Sequence, residues 1–339
     1  MAVPLSLLDL AFVGKGQTPS DGLAGSVALA QEAERCGYQR VWYAEHHNMK
    51  AIASSATSVV IAHVAAHTER IRLGSGGIML PNHSPLTIAE QFGTLEPLHP
   101  GRIDLGLGRA PGTDQVTMRA LRRDHTSADS FPRDVQELQG YLDDQSRVPG
   151  VEAVPGQGTK VPIYILGSSL FGATLAAALG LPYGFASHFA PGALQEAVAV
   201  YRRDFRPSEQ LAEPHVIAGI NVFCADSEAE AAAQRQVVAR SRLSLFFGRG
   251  RTFTDDEADA ILASPQGRQL QEMMRYTAVG TPAQVRVQLE AFTDHADADE
   301  LMVVHQAPTL EARLHSVRLL AEAWGLAGVG AGTGTGTGT

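Results

Sequence analysis

Apolar residues along this chain fall into short runs, each followed by a longer stretch of helical period rich in Ala, Leu and Glu. The runs predict strands near 3–13, 40–44, 71–79, 102–107, 162–166, 183–187, 215–224 and 299–304. They do not alternate cleanly between apolar and polar positions, as expected of parallel strands covered on both faces. Eight strand-then-helix units is the count that closes a barrel, so the pattern predicts an α/β fold of the (β/α)8 TIM-barrel type.

The first helix is read from Ser20, as its cap, to Gly37, which can adopt the left-handed conformation that helix ends favour. Two spacings exceed those of a minimal barrel. After the fourth strand come a helical region at 128–143 and a turn-rich segment at 147–160. After the seventh, an insertion from about Gly248 to Tyr276 carries Gly250, the acidic patch Asp255 to Glu257, and the pair Met273 and Met274. Long segments at that end of a barrel are commonly lids, and surface elaboration is the plainer alternative. The expected organisation is one barrel domain over 1–327 and a disordered Gly/Thr tail at 328–339 that has nothing to bury.

Composition narrows the function. The 339 residues are 44% hydrophobic and 19% charged, with a formal net charge of −9. That balance supplies a large core but no basic footprint for nucleic acid or an anionic membrane, so a small-molecule partner is expected. Cys36 and Cys224 lie far apart, outside any metal-type spacing, and read as buried thiols suited to a reducing compartment. No basic segment precedes the first apolar stretch and no apolar run is long enough for a bilayer, so the chain reads as soluble and cytoplasmic.

The second strand ends in Glu45, His46 and His47, and titratable groups at the carboxyl ends of barrel strands are placed to act. Neighbours on a strand point to opposite faces, so one imidazole of the pair is expected at the barrel mouth, and His46 is the choice. Gly76 and Gly77 weaken the end of the third strand unless something flat approaches the backbone, with a bulge as the alternative. The run Gly106 to Gly112 only superficially matches a dinucleotide fingerprint, because Pro111 replaces the third glycine and no helical pattern follows at once. Arg109 is read instead as a bidentate phosphate partner, or as one half of a salt bridge in its loop.

Gly167, Ser168 and Ser169 end the fifth strand and open a helix near Leu170, which places two hydroxyls and free amides at a positive helix end. That is a phosphate cradle, and Ser168 as an ordinary N-cap is the plainer reading. His188, between Phe185 and Phe189, is another polar tip at the catalytic face. Asn82 and His83, just beyond the third strand, are less specific and could simply begin the next helix. A metal centre on Glu45, His46 and His47, or on His63 and His67, is not expected: the helix pair lacks a HExxH glutamate, and adjacent strand histidines rarely converge on one ion.

Four stretches occur together in order: Val41 to His47, Ile71 to Leu80 (IRLGSGGIML), Pro100 to Gly112 (PGRIDLGLGRAPG) and Val279 to Pro282 (VGTP). Through them the chain resembles the bacterial luciferase family of flavin-dependent monooxygenases over most of residues 1 to 325. The resemblance implies a variant barrel, reduced FMN at its C-terminal face, and O2 activated as a flavin C4a-hydroperoxide. It also implies a homodimer and, since no nicotinamide motif is present, a separate NAD(P)H flavin reductase as partner. By resemblance His46 matches the histidine needed for catalysis, with Glu45 and His47 beside it. Gly76 and Gly77 match a non-prolyl cis peptide beneath the isoalloxazine. Arg109 with Gly167, Ser168 and Ser169 matches the FMN phosphate site, although Ser168 stands where luciferase has an acidic residue. His188 would contact flavin or substrate. The implied substrate is an aldehyde, the luciferase precedent, or a natural product such as a polyketide to be hydroxylated or epoxidised. Two contrasting readings are an F420-dependent hydride-transfer oxidoreductase on the same fold and a non-catalytic flavin-binding subunit.

Overall fold

The structure is a computed structural model that describes residues 2–247, 253–326 and 328. The strands are β1 (Leu5–Asp9), β2 (Arg40–Tyr43), β3 (Arg72–Met79), β4 (Ile103–Gly108), β5 (Ile163–Gly167), β6 (Tyr183–Phe185), β7 (Val216–Cys224), β8 (Thr277–Gly280) and β9 (Glu300–His305). The helices around the first half of the chain are α1 (Pro19–Cys36), α2 (Thr57–Ala65), α3 (Pro85–Leu98), α4 (Gln115–Ala120) and α5 (Phe131–Leu142). Then follow α6 (Leu170–Leu179), α7 (Leu194–Asp204), α8 (Glu228–Phe247), α9 (Asp255–Leu262), α10 (Pro265–Met273), α11 (Pro282–Ala296) and α12 (Leu310–Trp324).

Strands β1 to β7 pair in sequence and in parallel, β9 lies between β7 and β1, and the β6–β7 pairing closes the ring. This is a closed barrel of eight parallel strands with helices between them, the predicted fold class. The ninth strand, β8, lies just after the second insertion, where the apolar pattern predicted no strand. β7 pairs with β6 over its first residues and with β8 over Asn221 to Cys224, while β9 runs along its other edge. β8 therefore extends the β6 edge of β7 and stands outside the ring. It is short and runs straight into Thr281 and Pro282, which cap and open α11, so turn signals outweigh strand signals there.

Two boundaries differ from expectation. The first strand stops at Asp9 rather than near Val13, because Ala11 takes a positive φ of 50° that ends the extended run. The first helix is capped by Thr18, not Ser20: Pro19 fits the first helical position, and Thr18 and Asp21 exchange the reciprocal bonds of a capping box. Gly37 closes that helix at φ 84°, as the sequence indicated.

Side chains alternate across each strand. Leu5, Leu7, Val41, Tyr43, Leu73 and Val303 pack outward against the helices in the main core. Leu8, Trp42, Ala44, Tyr164, Ile217, Met302 and Val304 fill the barrel interior. Below them, at the N-terminal end, lies a buried ionic network. Arg40 donates through Nε and Nη2 to Glu300 at 2.9 and 3.0 Å, and through Nη1 to Asp104 at 2.8 Å and to the Tyr164 hydroxyl at 2.7 Å. Arg72 and the Trp42 indole also donate to Asp104, and Ser6 donates to Glu300. Burial pushes the Glu300 carboxyl up, but Arg40, His215 and Ser6 outweigh it and hold the group below the usual range.

The second insertion is not an isolated loop. Phe223, Leu243, Ala258, Leu262, Leu270 and Met274 form a satellite core that binds α9 and α10 to α8. Gly248 and Gly250, at the start of the expected lid, lie outside the described residues, as does 329–339 of the Gly/Thr tail. No described helix is long and apolar enough to cross a membrane.

Candidate functional site

Just past the end of β2, the carboxylate of Glu45 is buried at 1% exposure and gathers donors from three sides. His47 Nε2 lies 2.8 Å away, His83 Nε2 lies 2.9 and 3.0 Å from the two oxygens, and the Met79 amide donates at 3.0 Å. Asn82 adds a longer contact at 3.3 Å. Burial alone would raise the Glu45 pKa, yet His83, His47 and the Met79 N–H together hold it below the ordinary value. Glu45 is thus an ionised anchor that fixes the chain around it. Asn82 and His83, which looked unspecific in the sequence, are its partners; the signal was their place at the end of the neighbouring strand.

Tying His47 to Glu45 separates it from His46. The His46 ring is half-buried, and its Nδ1 is enclosed with no hydrogen-bond partner. Burial pushes its pKa down, Glu45 pulls it up, and His47 pushes it down, leaving a ring biased toward the neutral form. His188 shares this condition. Its Nδ1 is buried without a partner, while the Asn221 side chain holds its carbonyl at 2.6 Å and Ser187 Oγ holds the Gly219 carbonyl at 2.6 Å. Gly219 faces the His188 ring on the inner side of β7, where any Cβ would collide with it. Burial lowers the His188 pKa to about 3, with Arg242 and His46 both near enough to add to the effect. Two neutral imidazoles therefore face the mouth from β2 and β6.

Arg242 was not singled out in the sequence. It sits on α8, half-buried, and burial lowers its pKa to about 10. Among the described residues no acid or acceptor pairs with it. A signal was present: Arg242 lies four residues after Val238 and next to Leu243, on the side of α8 that packs into the satellite core. An arginine on an apolar helix face is unusual unless something balances it.

The Gly76–Gly77 peptide is cis, as the resemblance implied, and the β3–β4 register shifts between Ser75 and Ile78. The glycines answer to the protein itself as well as to any ligand. A Cβ on Gly76 would meet Leu8 at 2.8 Å, and one on Gly77 would meet Leu166 at 2.6 Å and the Gly106 carbonyl at 2.7 Å.

Arg109 follows β4 and is exposed, with its guanidinium over the Phe171 ring at 4.1 Å. Its loop salt bridge does not form among the described residues. Phe171 lies in the first turn of α6, so this stacking brings Arg109 to the helix end that Ser168 and Ser169 open. Ser169, not Ser168, is the N-cap, with no side-chain capping bond, because its extended backbone at φ −150° and ψ 166° is what enters the helix. Gly167, Ser168, Ser169, Arg109 and the free amides of α6 form a cradle with the donors a phosphate requires. The fit to FMN is therefore good: a phosphate end at α6, a glycine-lined strand end at β3, and enclosed imidazoles without partners at the mouth.

No group of three or more His, Cys, Asp or Glu among the described residues is arranged to hold a metal ion. The rings of His63, on α2, and His67, just past its end, are tilted by 57° with centroids 4.6 Å apart, remote from Glu45 in the chain.

The profile of the luciferase-like monooxygenase family matches residues 4–298. The chain belongs to the luciferase-like monooxygenase family. A luciferase-like monooxygenase of Escherichia coli (strain K12) is 48% identical over 321 residues, covering 94% of this chain and 96% of that one. The N-acetyl-S-alkylcysteine monooxygenase of Bacillus subtilis (strain 168) is 38% identical over 257 residues, covering 74% of this chain and 75% of that one. Among solved structures, apo-MsnO8 superposes with a TM-score of 0.85 at 39% identity, covering 96% of this chain and 99% of that chain. Family members use flavin, and a luciferase-like monooxygenase is an oxidoreductase.

Proposed function

We propose that this luciferase-like protein is an FMN-dependent monooxygenase that receives reduced FMN from a separate NAD(P)H flavin reductase and inserts one atom of O2 into a small organic substrate. The observation that carries this reading is the Arg109–Phe171 stack at the start of α6. It presents an arginine without an acid partner beside Ser168 and Ser169, where a flavin phosphate needs charge and hydroxyls. Reduced FMN, when bound, supplies the electrons for oxygen chemistry. The chain supplies everything else. Arg109, Ser168, Ser169 and the α6 amides hold the phosphate, and Gly76 and Gly77 leave room for the ring. His46, neutral and with a free ring nitrogen, accepts or donates the proton that oxygen transfer moves. Glu45 acts through His47, His83 and the Met79 amide, keeping the β2 end in place, so it is a positioning residue rather than a reacting one.

The relative named for N-acetyl-S-alkylcysteine makes an N-acylated cysteine thioether the first substrate to try, ahead of an aldehyde. The test is anaerobic titration with reduced FMN and with reduced F420, followed by turnover of such a thioether under 18O2. Tight binding of FMNH2 and label in the product support the reading. Preference for F420, or oxidation without label, overturns it in favour of hydride transfer, and a chain that binds flavin but turns over nothing is the non-catalytic subunit.

A further inference from the structure

Between Gly108, the last residue of β4, and Asp114, the cap of α4, the chain turns through Arg109 to Thr113. The Arg109 side chain is exposed and stacks on Phe171. A long exposed side chain has many rotamers to lose, so its charge is delivered to one place only where the backbone beneath it is fixed. This turn has little structure of its own: Pro111 has no N–H, and Gly112 sits at φ 62°.

The turn is held from the ends of β2 and β3. Asn82, buried in the short 3-10 turn Leu80–Asn82 after β3, donates through Nδ2 to the Pro111 carbonyl at 2.9 Å. The same nitrogen lies 3.3 Å from Glu45 Oε1. Both neighbours are acceptors, which fixes the amide with its nitrogen toward them and divides its two N–H groups between anchor and turn. The His47 amide donates to the Gly112 carbonyl at 3.4 Å, and Thr113 Oγ1 donates to the His47 carbonyl at 3.3 Å. A Cβ on Gly112 would lie 3.0 Å from the Glu45 carbonyl, so the turn is pressed against the β2 end. Of these bonds to the turn, the one from Asn82 is the shortest and its donor is buried.

We infer that Asn82 is a positioning residue for the phosphate arginine. It ties the Pro111 carbonyl to the buried Glu45 carboxylate and so holds Arg109 at the start of α6, acting through Arg109 and not on the flavin. This rests on the reading of Arg109, Ser168 and Ser169 as the FMN phosphate cradle. A residue that works in this way should affect the phosphate's share of binding and leave the ring's share alone.

The experiment is fluorescence-quenching titration with FMN and with riboflavin, which lacks the phosphate. Wild type, Asn82→Ala, Asn82→Ser, Arg109→Gln and the Asn82→Ala/Arg109→Gln double variant are compared, with urea unfolding to check that each is folded. FMN should bind wild type about tenfold more tightly than riboflavin. Asn82→Ala and Asn82→Ser should each shrink that ratio by about 3- to 10-fold, the range for one hydrogen bond, with riboflavin affinity held within about twofold. The double variant should bind FMN as Arg109→Gln does, because both changes remove one effect. The inference is overturned if the ratio survives in both Asn82 variants, if riboflavin is lost along with FMN, as for a merely structural residue, or if the double variant falls by the product of the single losses. A wild type that binds the two flavins equally overturns the phosphate reading of Arg109 itself.

Discussion

The two ends of the barrel interior use the same residue types in opposite ways. At the N-terminal end Arg40, Asp104 and Glu300 are buried, Arg72 is half-buried, and every charge meets an opposite one. At the C-terminal end the His46 and His188 Nδ1 atoms are enclosed without partners, and Arg109 and Arg242 have no acid among the described residues. A buried charge that loses its partner is strongly destabilising, so the lower network ties β1, β2, β3, β4, β5 and β9 into one register. The upper groups have bonding capacity that no described side chain or backbone group uses. One end ties strands together and the other presents side chains that bond to nothing else among the described residues.

Substitutions should separate the two ends. The largest effect on folding is expected from Glu300→Leu, which strands Arg40: urea unfolding should show a loss of about 3–5 kcal/mol. At the mouth, His46→Ala should change unfolding by under about 1 kcal/mol, since its Nδ1 makes no bond to lose. The same change should lower turnover by about 100-fold or more with FMN affinity nearly intact. Unchanged turnover would remove His46 from the mechanism.

Glu45→Gln lies between the extremes, because the Glu45 carboxylate is paired on several sides. It should cost about 1–3 kcal/mol at neutral pH. The Glu45 pKa is lowered in the folded chain, so its contribution is complete above the ordinary carboxylate range and is lost as pH falls through the lower folded value. The stability gap between wild type and Glu45→Gln should therefore narrow in acid, and a gap that widens there would contradict the assignment. The smallest expected effect is from Arg109→Gln, which should leave stability unchanged and weaken FMN binding by about tenfold.

The barrel was legible because each of its eight strands is a compact apolar run followed by a helical period, and closure then follows from the count. β8 was not, since its short pairing depends on how far β7 projects beyond β6 and that reach is a property of the assembled sheet. At the site, Glu45, His46, Arg109 and Ser169 were readable because each sits where a strand stops. Strand alternation was the ground for separating His46 from His47, but β2 ends at Tyr43; what separates them is the pairing of His47 and His83 with one carboxylate, which depends on the neighbouring strand. Arg242 was hidden in a helix far along the chain, and its isolation is visible only once the surrounding acids can be seen to lie elsewhere.

The most direct measurement of whether the mouth is an oxygen-activating flavin site is rapid mixing of anaerobic, FMNH2-loaded protein with oxygenated buffer, followed by absorbance from the near ultraviolet to the visible. The account requires a transient distinct from both reduced and oxidised flavin, long-lived in wild type and altered in decay by His46→Ala. Direct return of oxidised flavin in wild type, with FMNH2 binding established beforehand, would contradict it.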